Sequence, residues 1–162
     1  MGTNEIAVRR TKAIFEELEH LQDSIRQRAF DLFRERGDWL GGPLANWLTA
    51  EREMVWTPAI EVRQKDSEVE VLAATPGVEA KDLDVEVTPD DLLIQAHIGH
   101  RHTPAEGEVS VCEFKSGQLF RSIHFPQRID TQSVKADYRN GMLHLTAAVA
   151  ASAAHRVDVT AG

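Results

Sequence analysis

Three histidines stand close together in one segment and come nearest, in type and spacing, to a metal site. They are His97, His100 and His102. Imidazole nitrogens are ligands for zinc and copper, so the cluster could hold either ion. Residues 99–107, however, contain two glycines and a proline and are expected to form an exposed loop, without a carboxylate or thiol that would complete a rigid site. We therefore interpret the histidines as solvated and expect neither a metal nor a cofactor.

The other reactive side chains do not form the constellation that an enzyme needs. Asp90 and Asp91 could act as a general acid and base, but they follow a proline and are typical of a turn. No nucleophile-elbow pattern surrounds Ser110 or Ser122. The Gly-Gly-Pro run at residues 41–43 lacks the lysine and hydroxyl residue of a phosphate loop. The sequence predicts no catalytic residue and a protein that is not an enzyme.

Cys112 is the single cysteine of the chain. One thiol excludes an internal disulfide and a site built from several cysteines, and it favours a reducing compartment. The run Val109–Lys115 has the composition of a strand, which predicts a buried or interfacial thiol. If that strand pairs across a dimer axis, Cys112 could form an intersubunit disulfide.

Composition and charge narrow the classes of protein further. The chain has 162 residues, of which 42% are hydrophobic, and a net charge of −8. This is enough apolar material for a core, and no cluster of basic residues indicates a nucleic-acid surface. Met1–Lys12 lacks the apolar region of a signal peptide, and no run is long enough to span a membrane. We expect a cytoplasmic protein that binds neither nucleic acid nor membranes.

The first third of the chain has helical periodicity, with apolar residues recurring at spacings of three and four. Asn4 is a candidate N-cap, Gly37 a candidate stop, and Pro43 suits the first turn of a second helix. The pattern predicts an arm over residues 1–54, with helices at about 5–36 and 43–53. The apolar residues expected to contact another protein surface are Ile14, Leu18, Leu21, Ile25, Phe30, Phe33 and Trp47.

Beyond Trp56, short alternating runs separated by turn residues predict a mainly β sandwich over residues 55–150, followed by a tail over 151–162. Alternation is cleanest in Glu68–Leu72 and Leu83–Val87, as expected for strands with one wet face. Asn140-Gly141 predicts a tight hairpin. Strands are predicted near Ala59–Val62, Glu68–Ala74, Leu83–Thr88, Leu92–Ile98, Val109–Lys115, Leu119–Phe125, Ser133–Tyr138 and Met142–Val149.

Several motifs in this region occur in the order seen in one known family. Residues 73–78 read Ala-Ala-Thr-Pro-Gly-Val, similar to A-x-L-P-G-V, and residues 117–126 resemble G-x-F-x-R-x-x-x-L-P. Residues 136–143 read Ala-Asp-Tyr-Arg-Asn-Gly-Met-Leu, close to A-x-x-x-N-G-V-L. These motifs resemble the α-crystallin domain of small heat-shock proteins, the Hsp20/α-crystallin family. The resemblance implies an immunoglobulin-like α-crystallin β-sandwich with an N-terminal α-helical arm and a short extended C-terminal tail.

The resemblance also implies a function. It indicates an ATP-independent chaperone, a holdase that binds unfolding client proteins and prevents their aggregation under stress, assembled as a homo-oligomer of dimers. Arm residues would then contact clients or other subunits. Val157 and Val159 resemble the family's I/V-x-I/V tail motif, which fills a groove at a sheet edge of another subunit. The alternatives are a co-chaperone-like sandwich module that binds a folded partner chaperone, or a structural stress or spore-coat protein.

Two modes of dimer pairing stay open. Bacterial and plant members swap a strand carried by a longer loop, whereas animal members pair edge strands, here the run that holds Val109, Val111 and Cys112. Arg121 matches a family arginine that makes charge pairs near the dimer interface. Residues 25–37 and 47–53 resemble a short bacterial helix pair of unknown function, which supplies no activity.

Overall fold

The computed structural model describes residues 4–10, 15–36, 42–114 and 116–151. Helices α1 (Phe15–Arg36) and α2 (Gly42–Met54) precede most of the strands. The strands are β1 (Asn4–Glu5), β2 (Val8–Arg10), β3 (Val55–Trp56), β4 (Ile60–Lys65), β5 (Glu68–Ala74), β6 (Leu83–Val87), β7 (Asp91–Ile98), β8 (Gly117–His124), β9 (Lys135–Arg139) and β10 (Met142–Ala148).

The strands form two five-stranded sheets that share one hydrophobic core. One sheet has the order β1-β9-β10-β5-β4 and the other β2-β6-β7-β8-β3. Alternate residues of each strand face the core, such as Val69 and Val71 from one sheet and Val85 and Leu119 from the other. The predicted sandwich is therefore confirmed, and its core consists mainly of aliphatic side chains, as the low aromatic content of 6% indicates.

The predicted Asn-Gly hairpin joins β9 to β10. Asn140 and Gly141 both have positive φ, 51° and 77°, as a type I′ turn requires. A Cβ atom on Gly141 would lie 3.2 Å from the Cα of Pro76, so the glycine also permits close packing of two turns. The backbone N–H of Thr75 donates to the carbonyl of Gly141 at 2.7 Å, which joins the turns.

The two helices form a hairpin with a small core of its own. Its buried residues are Leu21, Ile25, Leu32 and Ala50. Phe120 of β8 packs against this cluster, so the hairpin lies against the outer face of the second sheet. At the end of α2, a Cβ on Gly117 would lie 2.7 Å from the carbonyl oxygen of Met54, which shows how closely helix and strand approach.

The prediction that the first helix begins near residue 5 is wrong. Residues 4–5 and 8–10 are strands, and α1 begins at Phe15 in the described part of the chain. Ile6 is buried between exposed Glu5 and Ala7, which is the alternation of an extended chain. Pairing with distant strands therefore overrides the helical periodicity that the segment shares with its neighbours.

The predicted strand Val109–Lys115 is also wrong over its described residues. Residues 99–114 contain no strand, only a short 3-10 turn at Pro104–Glu106. A strand needs a neighbouring strand for its backbone hydrogen bonds, and no strand of the described chain pairs with this run. Cys112 is consequently exposed rather than buried, and Val111 is 81% exposed.

Candidate functional site

A groove lies along one side of the sandwich, between β6 at the edge of one sheet and β9 near the edge of the other. Residues 4–10, which we call the groove segment, fill it. The first half pairs antiparallel with β9, with Asn4 opposite Tyr138. The second half pairs parallel with β6, with Val8 opposite Val85. One short segment thus bonds to both sheets and closes the sandwich on this side.

Two apolar side chains of the groove segment enter the space between the sheets. Ile6 is 7% exposed and belongs to the sandwich core, and Val8 packs against that core. The backbone N–H of Ile6 donates to the carbonyl of Ala136 at 3.0 Å. Burial of a side chain such as isoleucine stabilises by roughly 1.5–3 kcal/mol, so Ile6 is the main anchor.

Charged contacts hold the other end of the groove segment. The Arg9 guanidinium donates from Nε to Asp84 Oδ1 at 2.9 Å and also pairs with the buried carboxylate of Glu86. A buried carboxylate is costly without a cation, so Arg9 compensates for the burial of Glu86. Arg10 Nε donates to the carbonyl of Thr131 at 2.7 Å. In this chain the groove therefore holds two apolar side chains, and two basic side chains after them bind at its rim.

The predicted tail contacts Val157 and Val159 lie outside the described residues. The groove segment carries the same pattern at the other end of the chain, since Ile6 and Val8 are also β-branched and two apart. The sequence prediction missed these two residues. The signal that could have found them is the recurrence of the tail's spacing near the N-terminus.

The structure separates the predicted arm contacts into two groups. Leu21 and Ile25 are buried in the helical hairpin, and Leu18 and Trp47 are partly buried. Ile14 lies outside the described residues. The exposed large side chains of the hairpin, with their exposed fractions, are Phe30 at 54%, Phe33 at 42%, Leu44 at 70% and Leu48 at 45%.

The candidate dimer residues lie in the loop after β7 and on β8. Val109, Val111 and Cys112 are exposed in the loop. Arg121 is partly buried, opposite Ile94 of β7, and its Nε atom is buried without a hydrogen-bond partner in the described chain. A single chain does not test the interface, so these assignments stay predictions.

A cavity of about 580 Å³ lies between the end of the helical hairpin and the loop. Its apolar lining includes Met54, Trp56, Ile98 and Phe114. His100 also lines it. Because the arm and the loop both contribute walls, a change in either would alter the apolar surface that the cavity offers.

One histidine on the outer face of the first sheet joins two acidic groups. His144 Nε2 lies 2.7 Å from Glu70 Oε1, and His144 Nδ1 lies 3.2 Å from Asp137 Oδ2. The hydrogen bond with His144 lowers the pKa of Glu70, and the charges of Lys65 and Arg63 act in the same direction. These contacts connect β5, β10 and β9 side by side.

Glu70→Gln should lower the free energy of unfolding at neutral pH. It should also make that free energy depend less on pH in the acid range. Because the pKa of Glu70 is lowered below its ordinary 4.5 in the folded state, the ionised group stabilises above that value. This contribution is lost as the pH falls through the folded pKa. Urea unfolding at a series of pH values from 7 down to about 3 measures the effect.

Glu68→Gln is the matched control, since Glu68 is exposed on the same strand and has no ion pair among the described residues. It should leave the acid dependence as in the wild type. Parallel pH curves for the wild type and Glu70→Gln would show that the His144 contact does not contribute.

Comparison with known proteins identifies two family models and several relatives that match this chain. The Hsp20/alpha crystallin family model matches residues 61–160, and a model for a protein of unknown function, DUF2934, matches residues 20–54. A probable 15 kDa heat shock protein of Leptospira interrogans is 29% identical over 96 residues, covering 59% of this chain and 72% of the relative. Spore protein SP21 of Stigmatella aurantiaca is 30% identical over 128 residues, covering 75% of each.

Solved structures show the same fold. Heat shock protein 16.0 from Schizosaccharomyces pombe has a TM-score of 0.54 and 24% identity, covering 66% of this chain and 99% of that one. None of the helices in the described ranges is both long and apolar enough to cross a membrane. The two-sheet fold, the ordered motifs and the match over residues 61–160 agree: the chain belongs to the Hsp20/alpha crystallin family.

Proposed function

We propose that this protein is an ATP-independent holdase that binds unfolding proteins in the cytoplasm and prevents their aggregation under stress. Its family is one of chaperones, and one observation carries the finer proposal. The groove between β6 and β9 accepts an extended segment through backbone hydrogen bonds and two apolar side chains. Unfolded chains offer these features without a defined sequence, so the groove fits a broad range of clients.

Filling of the groove by the chain's own residues provides a resting state. While Ile6 and Val8 occupy it, this part of the apolar core is hidden from water. A client segment, or the Val157 and Val159 tail of another subunit, would compete for the same backbone edges. Heat unfolds proteins and so raises the client concentration, which shifts the occupancy of the groove by mass action, and the exchange needs no nucleotide.

The homo-oligomer is proposed to be built from dimers that use the loop and β8. Arg121 of β8 is only partly buried, so its side chain stays accessible in part to a carbonyl or carboxylate of a second subunit. Val109 and Val111, in the loop that precedes β8, present apolar surface and lack a strand partner within the described chain. Pairing by strand exchange or along an edge would supply one.

The arm is proposed as a second client surface. Phe30 and Phe33 expose large aromatic side chains although other positions of the same helix are buried. Burial of apolar surface is favourable and non-directional, so these aromatic side chains would bind apolar segments of unfolding chains of varied sequence. Clients would therefore meet the arm first and the groove after its own segment has left.

The intact protein should suppress the thermal aggregation of a heat-labile client enzyme in the absence of ATP. Light scattering during heating, with and without apyrase, measures this, and an equal mass of an inert protein is the control. Suppression is expected at molar ratios of this protein to the client between one and a few. The holdase proposal is contradicted if a several-fold molar excess of this protein over the client gives no suppression.

The same sample distinguishes the alternatives. Size-exclusion chromatography with light scattering should show oligomers that take up the client after heating. A co-chaperone-like module would instead leave aggregation unchanged and co-elute with a folded chaperone. A structural coat protein would do neither.

A further inference from the structure

The loop after β7 brings Cys112 close to two histidines, His100 and His102, that precede it in the chain by twelve and ten residues. The ligand atoms of His100, His102 and Cys112 all lie within 4.8 Å of one another. The sequence led us to expect no thiol near the histidines. That expectation overlooked the return of the loop, which places Cys112 beside them.

Contacts within the loop hold its first and last residues side by side. The backbone N–H of His100 donates to Ser116 Oγ at 2.9 Å, and that hydroxyl lies 3.3 Å from the His100 carbonyl. The His100 ring stacks on the Phe114 ring with centroids 4.6 Å apart. The His102 ring packs edge-on against the His100 ring, with centroids 4.8 Å apart. Since these contacts already close the loop, a ligand that bridges its two ends loses less chain entropy than it would in an open loop.

We propose that His100, His102 and Cys112 form a zinc-binding site. Two imidazoles and a thiolate match the nitrogen and sulfur ligands that zinc prefers, and no carboxylate in the trio favours calcium or magnesium. Zn–S and Zn–N bonds of about 2.3 and 2.0–2.1 Å require the three ligand atoms to draw together by roughly 1 Å. Binding releases the thiol proton of Cys112 to solvent as the Zn–S bond forms.

The ion would cross-link the start of the loop to its end. Residues 100–102 and 112 would be fixed, together with the exposed Val109 and Val111 between them. The thiolate would also be held as a ligand and kept from forming a disulfide between subunits. The loop proposed to take part in dimer contacts would thus have a metal-bound and a metal-free form.

Calorimetric titration of the full chain with zinc chloride, under a non-thiol reductant, tests the site. We expect one zinc per chain in the wild type and at least a tenfold loss of affinity in Cys112→Ser and His102→Ala. Both residues are exposed, so neither change should unfold the sandwich, which circular dichroism can verify. His97→Ala is the matched control, because His97 is exposed nearby but outside the trio, and it should bind as the wild type does.

Cobalt provides a second readout that reports the ligand itself. Co²⁺ bound to the wild type and to His97→Ala should give a thiolate-to-metal charge-transfer band in the near ultraviolet. Cys112→Ser should lack that band. The proposal is overturned if zinc binds Cys112→Ser as tightly as the wild type, if His97→Ala loses the same affinity, or if wild-type binding is absent. One zinc per two chains would likewise overturn a site within one loop.

Discussion

Ile6→Asp is expected to empty the groove and to raise the rate at which the protein captures an unfolding client several-fold. Ile6 is buried between the sheets, and an aspartate there would leave an unpaired buried charge, which costs several kcal/mol. The segment avoids this cost by leaving the groove. The edges of β6 and β9 then become available to clients. Aggregation kinetics at limiting chaperone concentration measure the change.

A peptide with the chain's residues 152–162 provides a direct measure of the same event. Fluorescence anisotropy should show tighter binding to Ile6→Asp than to the wild type, because the peptide no longer competes with the groove segment. Ala7→Asp is the matched control, since Ala7 is exposed between the two anchors and the added charge is equal. Equal peptide affinities for Ile6→Asp and Ala7→Asp would contradict the idea that the groove segment blocks this site.

Leu32→Ala is expected to destabilise the helical hairpin by about 2–5 kcal/mol, the usual cost of deleting a buried leucine side chain. Leu32 is 0% exposed and lies in the hairpin's own cluster, apart from the sandwich core. Hydrogen exchange should therefore accelerate for amides of α1 and α2 and stay unchanged for those of β5 and β10.

Phe33→Ala separates stability from client binding. Phe33 neighbours Leu32 in the chain but is 42% exposed, so its removal should leave hydrogen exchange almost unchanged. If the arm binds clients, Phe33→Ala lowers client capture while the hairpin stays folded. Uniform acceleration of exchange across the helices and both sheets in Leu32→Ala would show instead that the hairpin and the sandwich unfold as one unit.

The sequence predicted those parts of the fold that are encoded locally. Alternation over Glu68–Leu72 predicts a strand because each residue's burial there follows its position in the pleat. The same alternation predicts the strand Leu83–Val87, although Glu86 on its polar face is buried and pairs with Arg9. The Asn140-Gly141 turn needs positive φ, which few residue types accept, so its signal is strong. Pro43 likewise lies in the first turn of α2, which begins at Gly42.

The groove segment escaped prediction because its structure depends on distant partners. Two strands of two and three residues are too short for a period to be read from them. Arg9 meets Asp84, which is 75 residues away, and Arg10 meets Thr131, which is 121 residues away. The spacing of Ile6 and Val8 is a local signal for the two anchors, but no local pattern identifies these distant partners.

The strand predicted at Val109–Lys115 is absent over its described residues for a related reason. Val109 and Val111 have strand composition, but a strand also requires a neighbour, and composition does not provide one. The proximity of Cys112 to His100 results from the path of the loop, which the spacing along the chain does not reveal. The zinc-site candidate therefore emerges only in three dimensions.

The long span between the groove segment and its partners has a consequence for biosynthesis. Arg10 is translated 121 residues before Thr131, which at 5–20 residues per second is on the order of ten seconds. During that interval Ile6 and Val8 have no groove to enter, because β9 does not yet exist. Docking of the segment must come after β9 is made, so each nascent chain passes through a period with its N-terminal anchors free.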